Sequence, residues 1–187
     1  MIKGDRIILR PIQDKDWPTI EEWGSDKNAL WGPFQRFQLD HLPLLRQAFQ
    51  QTGLLKRESG FLLIETLPDH EVIGFVRYSL IPFPDADMPY PEIGFGIPRI
   101  DAQGKGYARE AVGLLIDYLF AGYPVERIGA FTDKENIPAQ RLMQSLGFQQ
   151  EGTLRRSMFR DGQWRDVLIF GILRTETNKE QNKDGKP

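Results

Sequence analysis

Six consecutive residues, Gln103-Gly104-Lys105-Gly106-Tyr107-Ala108, carry the clearest chemical signal in this chain of 187 residues. An apolar, glycine-punctuated run precedes them, Glu92-Ile-Gly-Phe-Gly-Ile97, and a helix-like run from Arg109 to Phe120 follows. The local order is therefore strand, glycine loop, helix. Such a loop aims several free backbone N–H groups and the positive end of a helix dipole at one point, which is what a phosphate needs. Glycine at 104 and 106 lets the chain turn and come close to a ligand. Gln103 adds hydrogen bonding without charge, while Lys105 and Arg109 add positive charge.

Two familiar phosphate loops fit this stretch poorly. In a nucleotide P-loop the lysine is followed by Ser or Thr to hold magnesium, and here Gly106 follows Lys105. A dinucleotide fingerprint started at Gly104 would put its third glycine at 109, where close helix–strand packing excludes Arg109. A glycine-rich turn with no ligand is the bland alternative. The chain has no cysteine, which removes disulfides, zinc–thiolate sites and a thiol nucleophile. His41 and His70 have no metal-ligand spacing, so they read as ordinary surface residues and no metal is expected. The 24 Lys+Arg nearly cancel the 26 Asp+Glu, without the basic excess that wholesale nucleic-acid binding requires. No apolar run approaches the ~20 residues of a membrane span. The opening Met1-Ile-Lys-Gly-Asp-Arg lacks a secretory apolar core. The expectation is a soluble, cytoplasmic protein without nucleic-acid or membrane partners.

Several elements must position the loop. Arg6-Ile-Ile-Leu-Arg-Pro11 is a short β-rich run. Asp14-Lys-Asp-Trp-Pro is an N-cap signature opening a helix to Trp23, and Leu42 to Gln51 is a second helix. Gly60–Glu65 and Glu71–Leu80 read as a hairpin of strands joined through Leu67-Pro-Asp-His. Glu92 to Ile97 is the next strand, then come the loop and its helix, closed by Gly122. Arg127–Thr132 is a strand. Ile137–Leu146 is a helix with Gly147 as its left-handed cap. Leu154–Arg160 and Val167–Arg174 are strands turned at Asp161-Gly162. The polar stretch 175–187 reads as a disordered tail after one domain, 1–174. The fold class is mixed α/β: an antiparallel meander running into a β-α-β unit.

The pattern Gln/Arg-x-x-Gly-x-Gly/Ala matches in full at Gln103, Gly106 and Ala108. Here the sequence resembles the GNAT superfamily of N-acetyltransferases. Gly104-Lys-Gly-Tyr-Ala-Arg-Glu-Ala111 is similar to the motif of the branch that acetylates ribosomal-protein N-termini. Asn136-Ile-Pro-Ala-Gln-Arg-Leu-Met-Gln-Ser-Leu-Gly-Phe148 is similar to its second motif. Gln150-Glu-Gly-Thr-Leu154, Asp161-Gly-Gln-Trp-Arg-Asp-Val167 and Arg6-Ile-Ile-Leu-Arg-Pro11 continue in register. The match spans roughly residues 5 to 174.

The resemblance implies a central, mostly antiparallel twisted sheet with flanking helices, whose β-α-β unit splays to admit coenzyme A. It implies acetyl-CoA as co-substrate, its pyrophosphate on residues Gln103 to Arg109, with Asn136 as a further contact. It implies direct attack of a primary amine on the thioester. Ile97 would meet the pantetheine arm and supply a backbone N–H to the developing oxyanion. Glu92 is the candidate general base, through water, because partial burial raises a carboxylate's pKa toward a useful range. The branch places Ser where this chain has Ala139, so no general acid is assigned. For the acceptor, Trp31, Phe34 and Tyr90 are the candidate contacts. The acidic loops 82–90 and 161–166 suit a cationic amine: a protein N-terminus, a polyamine or another small amine. The competing reading is a regulatory coenzyme A-binding module without catalysis. The sequence is compatible with a homodimer and fixes no oligomeric state.

Overall fold

The computed structural model describes residues 1–25, 34 and 41–177. Trp31 and residues 178–187 lie outside the described residues. Eight strands form one open sheet: β1 (Ile2–Lys3), β2 (Ile7–Pro11), β3 (Ser59–Thr66), β4 (Val72–Ile81), β5 (Tyr90–Gly96), β6 (Arg127–Asp133), β7 (Gln149–Arg160) and β8 (Gln163–Leu173). Their order across the sheet is β1-β2-β3-β4-β5-β6-β8-β7. Every pairing is antiparallel except β5–β6, the one that needs a helical crossover. That crossover is α3 (Tyr107–Gly122). The other described helices are α1 (Trp17–Ser25), α2 (His41–Thr52), α4 (Ile137–Ser145) and α5 (Arg174–Thr177). None of the described helices is long and apolar enough to cross a membrane.

The strand pattern explains why helices cover both faces. β3 and β4 are apolar on both sides, as strands buried on two faces must be. Leu62, Ile64, Val76, Tyr78, Ile93, Ile128 and Ala130 point into one core with α3 and α4. Phe61, Leu63 and Phe75 point the other way, into a second core with Ile12, Trp17, Ile20 and Trp23. Phe61 and Phe75 stack at 4.9 Å, and Trp17 meets Phe49 of α2 edge-on at 5.2 Å. On α3, Ala111, Val112, Leu115, Ile116, Leu119 and Phe120 recur at helical spacing and are all buried. Each of the larger ones contributes roughly 1.5–3 kcal/mol of apolar burial.

Local signals place the turns. Asp161 and Gly162 have φ 50 and 74, the double left-handed conformation of a tight hairpin, between β7 and β8. Gly147, φ 93, ends α4. Several boundaries differ from the sequence expectation: β7 starts at Gln149 rather than Leu154, and β8 at Gln163 rather than Val167. The first helix begins with a 3-10 turn at Asp14–Asp16, and α1 starts only at Trp17. Asp16 holds this entry: it accepts from Gln13 N–H at 2.8 Å and takes both Nη atoms of Arg10 at 2.7 and 2.8 Å. Order also continues past residue 174 as α5. Arg174 donates to the carbonyls of Phe120, Tyr123 and Val125 at 2.6, 2.8 and 3.0 Å, which satisfies the end of α3 and ties α5 to it.

Candidate active site

The strand pair that flanks the glycine loop holds together over two residues only. Glu92 faces Gly129 and Ile93 faces Ala130, and beyond them β5 and β6 part. Gly96 runs instead close beside β4: a Cβ built on Gly74 would sit 2.3 Å from the Gly96 carbonyl oxygen. The opening is a cleft of about 390 Å³. Residues of both sheet faces reach it, since the sheet itself is parted there: Arg77 and Glu92 from one side, Ile93, Ala130 and Ala139 from the other.

On the α3 side, a 3-10 turn at Ile100–Ala102 leads into Gln103 in extended conformation. Gly104 at φ 72 and Gly106 at φ 84 then reverse the chain, and Gly106 caps α3 without any side-chain bond. The first bond of the helix runs from Glu110 N to Gly106 O at 3.2 Å. Among the described residues nothing accepts from the amides of 104–109, which is the usual state of a helix start. A Cβ built on Gly104 would meet nothing within 4 Å, so the loop is open on that side. Uncommitted amides, a 16-residue helix and open space fit a pyrophosphate.

Three contacts fix the loop's shape. Gln103 Nε2 donates to Ile97 O at 2.8 Å, joining the loop to the end of β5. Arg6 Nη1 donates to Lys105 O at 2.9 Å, its Nε and backbone N reach Glu110 at 3.0 and 2.9 Å, and its guanidinium lies over the Tyr107 ring. Arg109 turns away to Ser145 at the end of α4, with both contacts at 3.3 Å. Asn136 is the N-cap of α4, accepting from Ala139 N at 3.3 Å, and both residues line the cleft.

Glu92 stands on the opposite wall, 7% exposed. Arg77, across from Gly94 on β4, donates through Nη1 to Glu92 Oε2 at 2.8 Å. Burial pushes the Glu92 carboxyl up, and Arg77 opposes it without cancelling it, so the carboxyl stays above its ordinary value. His41, the first residue of α2, and Phe75 line the same wall.

The acceptor-side candidates are dispersed. Tyr90 shares Glu92's face of β5 but not the cleft lining; its ring packs over Gly129, with the Arg127 guanidinium 4.7 Å above it. Phe34 lies over Arg160, 5.5 Å from ring centre to guanidinium. The acids of the 161–166 hairpin and of the neighbouring end of β6 lie beside cations. Asp133 binds Arg160 at 2.6 Å, Glu135 binds Arg165 at 2.7 Å, Asp161 lies 3.6 Å from Arg160, and Asp166 lies 3.7 Å from Lys134. Asp85 and Asp87 are not in the cleft lining, and Asp85 accepts from the Asp87 amide.

Arg77, His41 and Arg6 were not singled out from the sequence. Arg77 had one usable signal, a charge inside the otherwise apolar run Val72–Ile81. Arg6 had none, because its partner Glu110 is 104 positions away. His41 read as an ordinary surface histidine, since the topology that carries α2 to the cleft leaves no local trace.

Comparison with known proteins matches this architecture. Residues 6–149 match the family model described as an acetyltransferase (GNAT) domain. An uncharacterised N-acetyltransferase, p20, of Bacillus licheniformis is 41% identical over 92% of this chain and 95% of its own length. The [ribosomal protein uS5]-alanine N-acetyltransferase of Escherichia coli is 29% identical, over 90% of this chain and 88% of its own. Among solved structures, spermidine N-acetyltransferase of Vibrio cholerae in complex with CoA and spermine superposes with a TM-score of 0.78. It covers 93% of this chain and 99% of that one at 22% identity, a likeness of fold. The mixed sheet, the splayed β5–α3–β6 unit and the sequence relationship agree, and the chain belongs to the GNAT family of acetyltransferases.

Proposed function

We propose that this protein transfers an acetyl group from acetyl-CoA to a primary amine. One observation carries the reading: the strand that places a buried, titratable carboxylate, Glu92, in the cleft continues past its parted end into an open helix-start loop with uncommitted amides. Acetyl-CoA supplies an activated thioester when bound. The amides of 104–109, with Lys105, are the candidate pyrophosphate cradle, and Gln103 keeps that cradle at a fixed distance from Ile97.

Glu92 accepts the proton that the acceptor ammonium must lose, through an intervening water. A pKa above the ordinary carboxylate value makes it a better base near neutrality than a solvated glutamate. Arg77 favours its ionised form and so opposes burial without cancelling it. The Ile97 amide, just past the parted end of β5, is the candidate donor to the oxygen where negative charge develops. No protein group is assigned to the leaving thiolate: Ala139 offers no hydroxyl, and Ser145 Oγ is held by Leu142 O and Arg109. Relatives named for a ribosomal-protein alanine and for spermidine place both peptide and small amines among the acceptors to be tried.

The test is release of free thiol from acetyl-CoA against a panel of amines, followed by mass spectrometry of the product. Amine-dependent thiol release with a gain of one acetyl group is expected. Tight acetyl-CoA binding without turnover on any amine would leave the regulatory-module reading standing instead.

A further inference from the structure

The wall opposite the glycine loop carries an arginine that the acetyl-transfer chemistry does not fully use. Arg77 commits Nη1 to Glu92. Its Nε and Nη2 have no partner among the described residues. A Cβ built on Gly94 would lie 2.8 Å from Nε, 3.0 Å from Cζ and 3.1 Å from Nη2. The guanidinium therefore lies against the bare backbone of Gly94, with Nη1 committed to Glu92 and the Nε–Nη2 edge carrying no hydrogen bond among the described residues. That edge is the one that takes a carboxylate in two parallel bonds. The side chain is 36% exposed and lines the cleft beside Glu92.

Charge around the cleft points the same way. Among its described lining residues Glu92 is the only carboxylate, and Arg77 already offsets it. The acids of the β7–β8 hairpin and of the segment after β6 are spent on Arg160, Arg165 and Lys134. A polyamine brings two or three ammonium groups, and after the reacting one the rest find no unpaired carboxylate among the described lining residues. An amine that carries its own carboxylate balances the wall: the carboxylate meets Arg77 while the nitrogen meets Glu92.

We propose that Arg77 selects the acceptor, binding through its Nε–Nη2 edge a carboxylate carried close to the reacting amine, so that the preferred substrate is a single amine of the amino-acid type. This rests on the acetyltransferase reading above. The groups that face Glu92 are Arg77 from β4 and Tyr90 from its own strand, with His41 of α2 in the same cleft. β6 presents Gly129 there.

The experiment compares kcat/KM for alanine, alaninamide, an alanine tripeptide, propylamine and spermidine, by thiol release, in the wild type and in Arg77→Met and Arg77→Lys. Alanine is expected to exceed alaninamide and propylamine by about ten- to hundred-fold, the range of charged hydrogen bonds. Arg77→Met should remove most of that preference, and Arg77→Lys should restore part of it. Loss through Glu92 alone would lower every acceptor by one factor and leave the ranking intact, which would overturn the selection role. A wild type that prefers spermidine, the amide or the tripeptide to alanine overturns the carboxylate assignment without any variant, even if Arg77→Met folds poorly. Thiol release from none of the acceptors, with acetyl-CoA still bound, overturns both this proposal and the reading beneath it.

Discussion

Arg10 on β2 and Arg77 on β4 each meet buried carboxylates, one pair beneath α1 and the other in the cleft. Arg10, 4% exposed, donates to Asp16 and to Glu65, which are 4% and 6% exposed. Burial works against ionising Asp16, but Arg10 and the Gln13 amide outweigh it and hold the carboxyl below its usual range. For Glu65, burial is outweighed by His70 and Arg10 with the same result. Glu92 has one arginine bond and no backbone donor, so burial prevails and the carboxyl rises. Saturating a buried carboxylate with donors locks its charge; giving it a single partner leaves it able to exchange a proton. The first arrangement anchors a fold and the second suits chemistry.

The largest expected effect tests the locked pair. Arg10→Met strands two buried carboxylates and should cost about 3–5 kcal/mol of stability, read by denaturant unfolding, while each folded molecule keeps its turnover. The sign of the pH effect follows. Both folded carboxyl pKa values are depressed, so the stabilisation is present above the ordinary carboxylate range and is lost as pH falls through the lower folded values. Melting temperatures of the wild type and variant should converge below about pH 4; a constant gap down to pH 2 would contradict the account.

Glu92→Gln should do the reverse, lowering turnover by about 10²–10⁴-fold with little change in melting temperature or acetyl-CoA affinity. In the wild type the acid limb of the rate should lie above an ordinary carboxylate's pKa, because the base works only when ionised. Arg77→Met removes the opposing charge, so that limb should move to still higher pH. A limb unmoved by either substitution would mean that Glu92 is not the base.

Gly106→Asp addresses the third region, the loop. It forces a side chain into φ 84 and sets a carboxylate at the proposed pyrophosphate cradle, with its Cβ 3.2 Å from Arg6 Nη2. Acetyl-CoA affinity should fall at least about tenfold in calorimetry; unchanged affinity would remove the loop from the donor site. The smallest effect is expected of Asn136→Ala, which loses a cap worth about 1 kcal/mol. A much larger rise in KM for acetyl-CoA would show that Asn136 also touches the donor.

The elements legible in the sequence are those whose cause is local. Gly104, Gly106, Gly147 and the Asp161-Gly162 turn announce their backbone conformations, and the apolar spacing of α3 announces its buried face. The parting of β5 and β6 followed from the family likeness, while the room that Gly94 makes for Arg77 shows only in the structure. What stayed hidden depends on register between distant segments. Arg77 reaches Glu92 only because β4 and β5 pair Arg77 with Gly94 and Ser79 with Glu92. The pairing of the acid-rich hairpin is only partly local: Asp161 lies beside its sequence neighbour Arg160, whereas Asp166 meets Lys134 from just past β6, a partner that no local pattern announces.

Arg6 gives the glycine loop a dependence on the far end of the chain. Its bonds to Lys105 O and Glu110 close a circuit of about a hundred residues, whereas the helix that follows the loop forms from neighbours in sequence. A partly unfolded molecule that releases β1 and β2 therefore keeps the glycine sequence and the helix but loses the tether. Proteolytic nicking or a bulky fusion near Met1 would then be felt first as weakened donor binding, long before the sheet as a whole gives way.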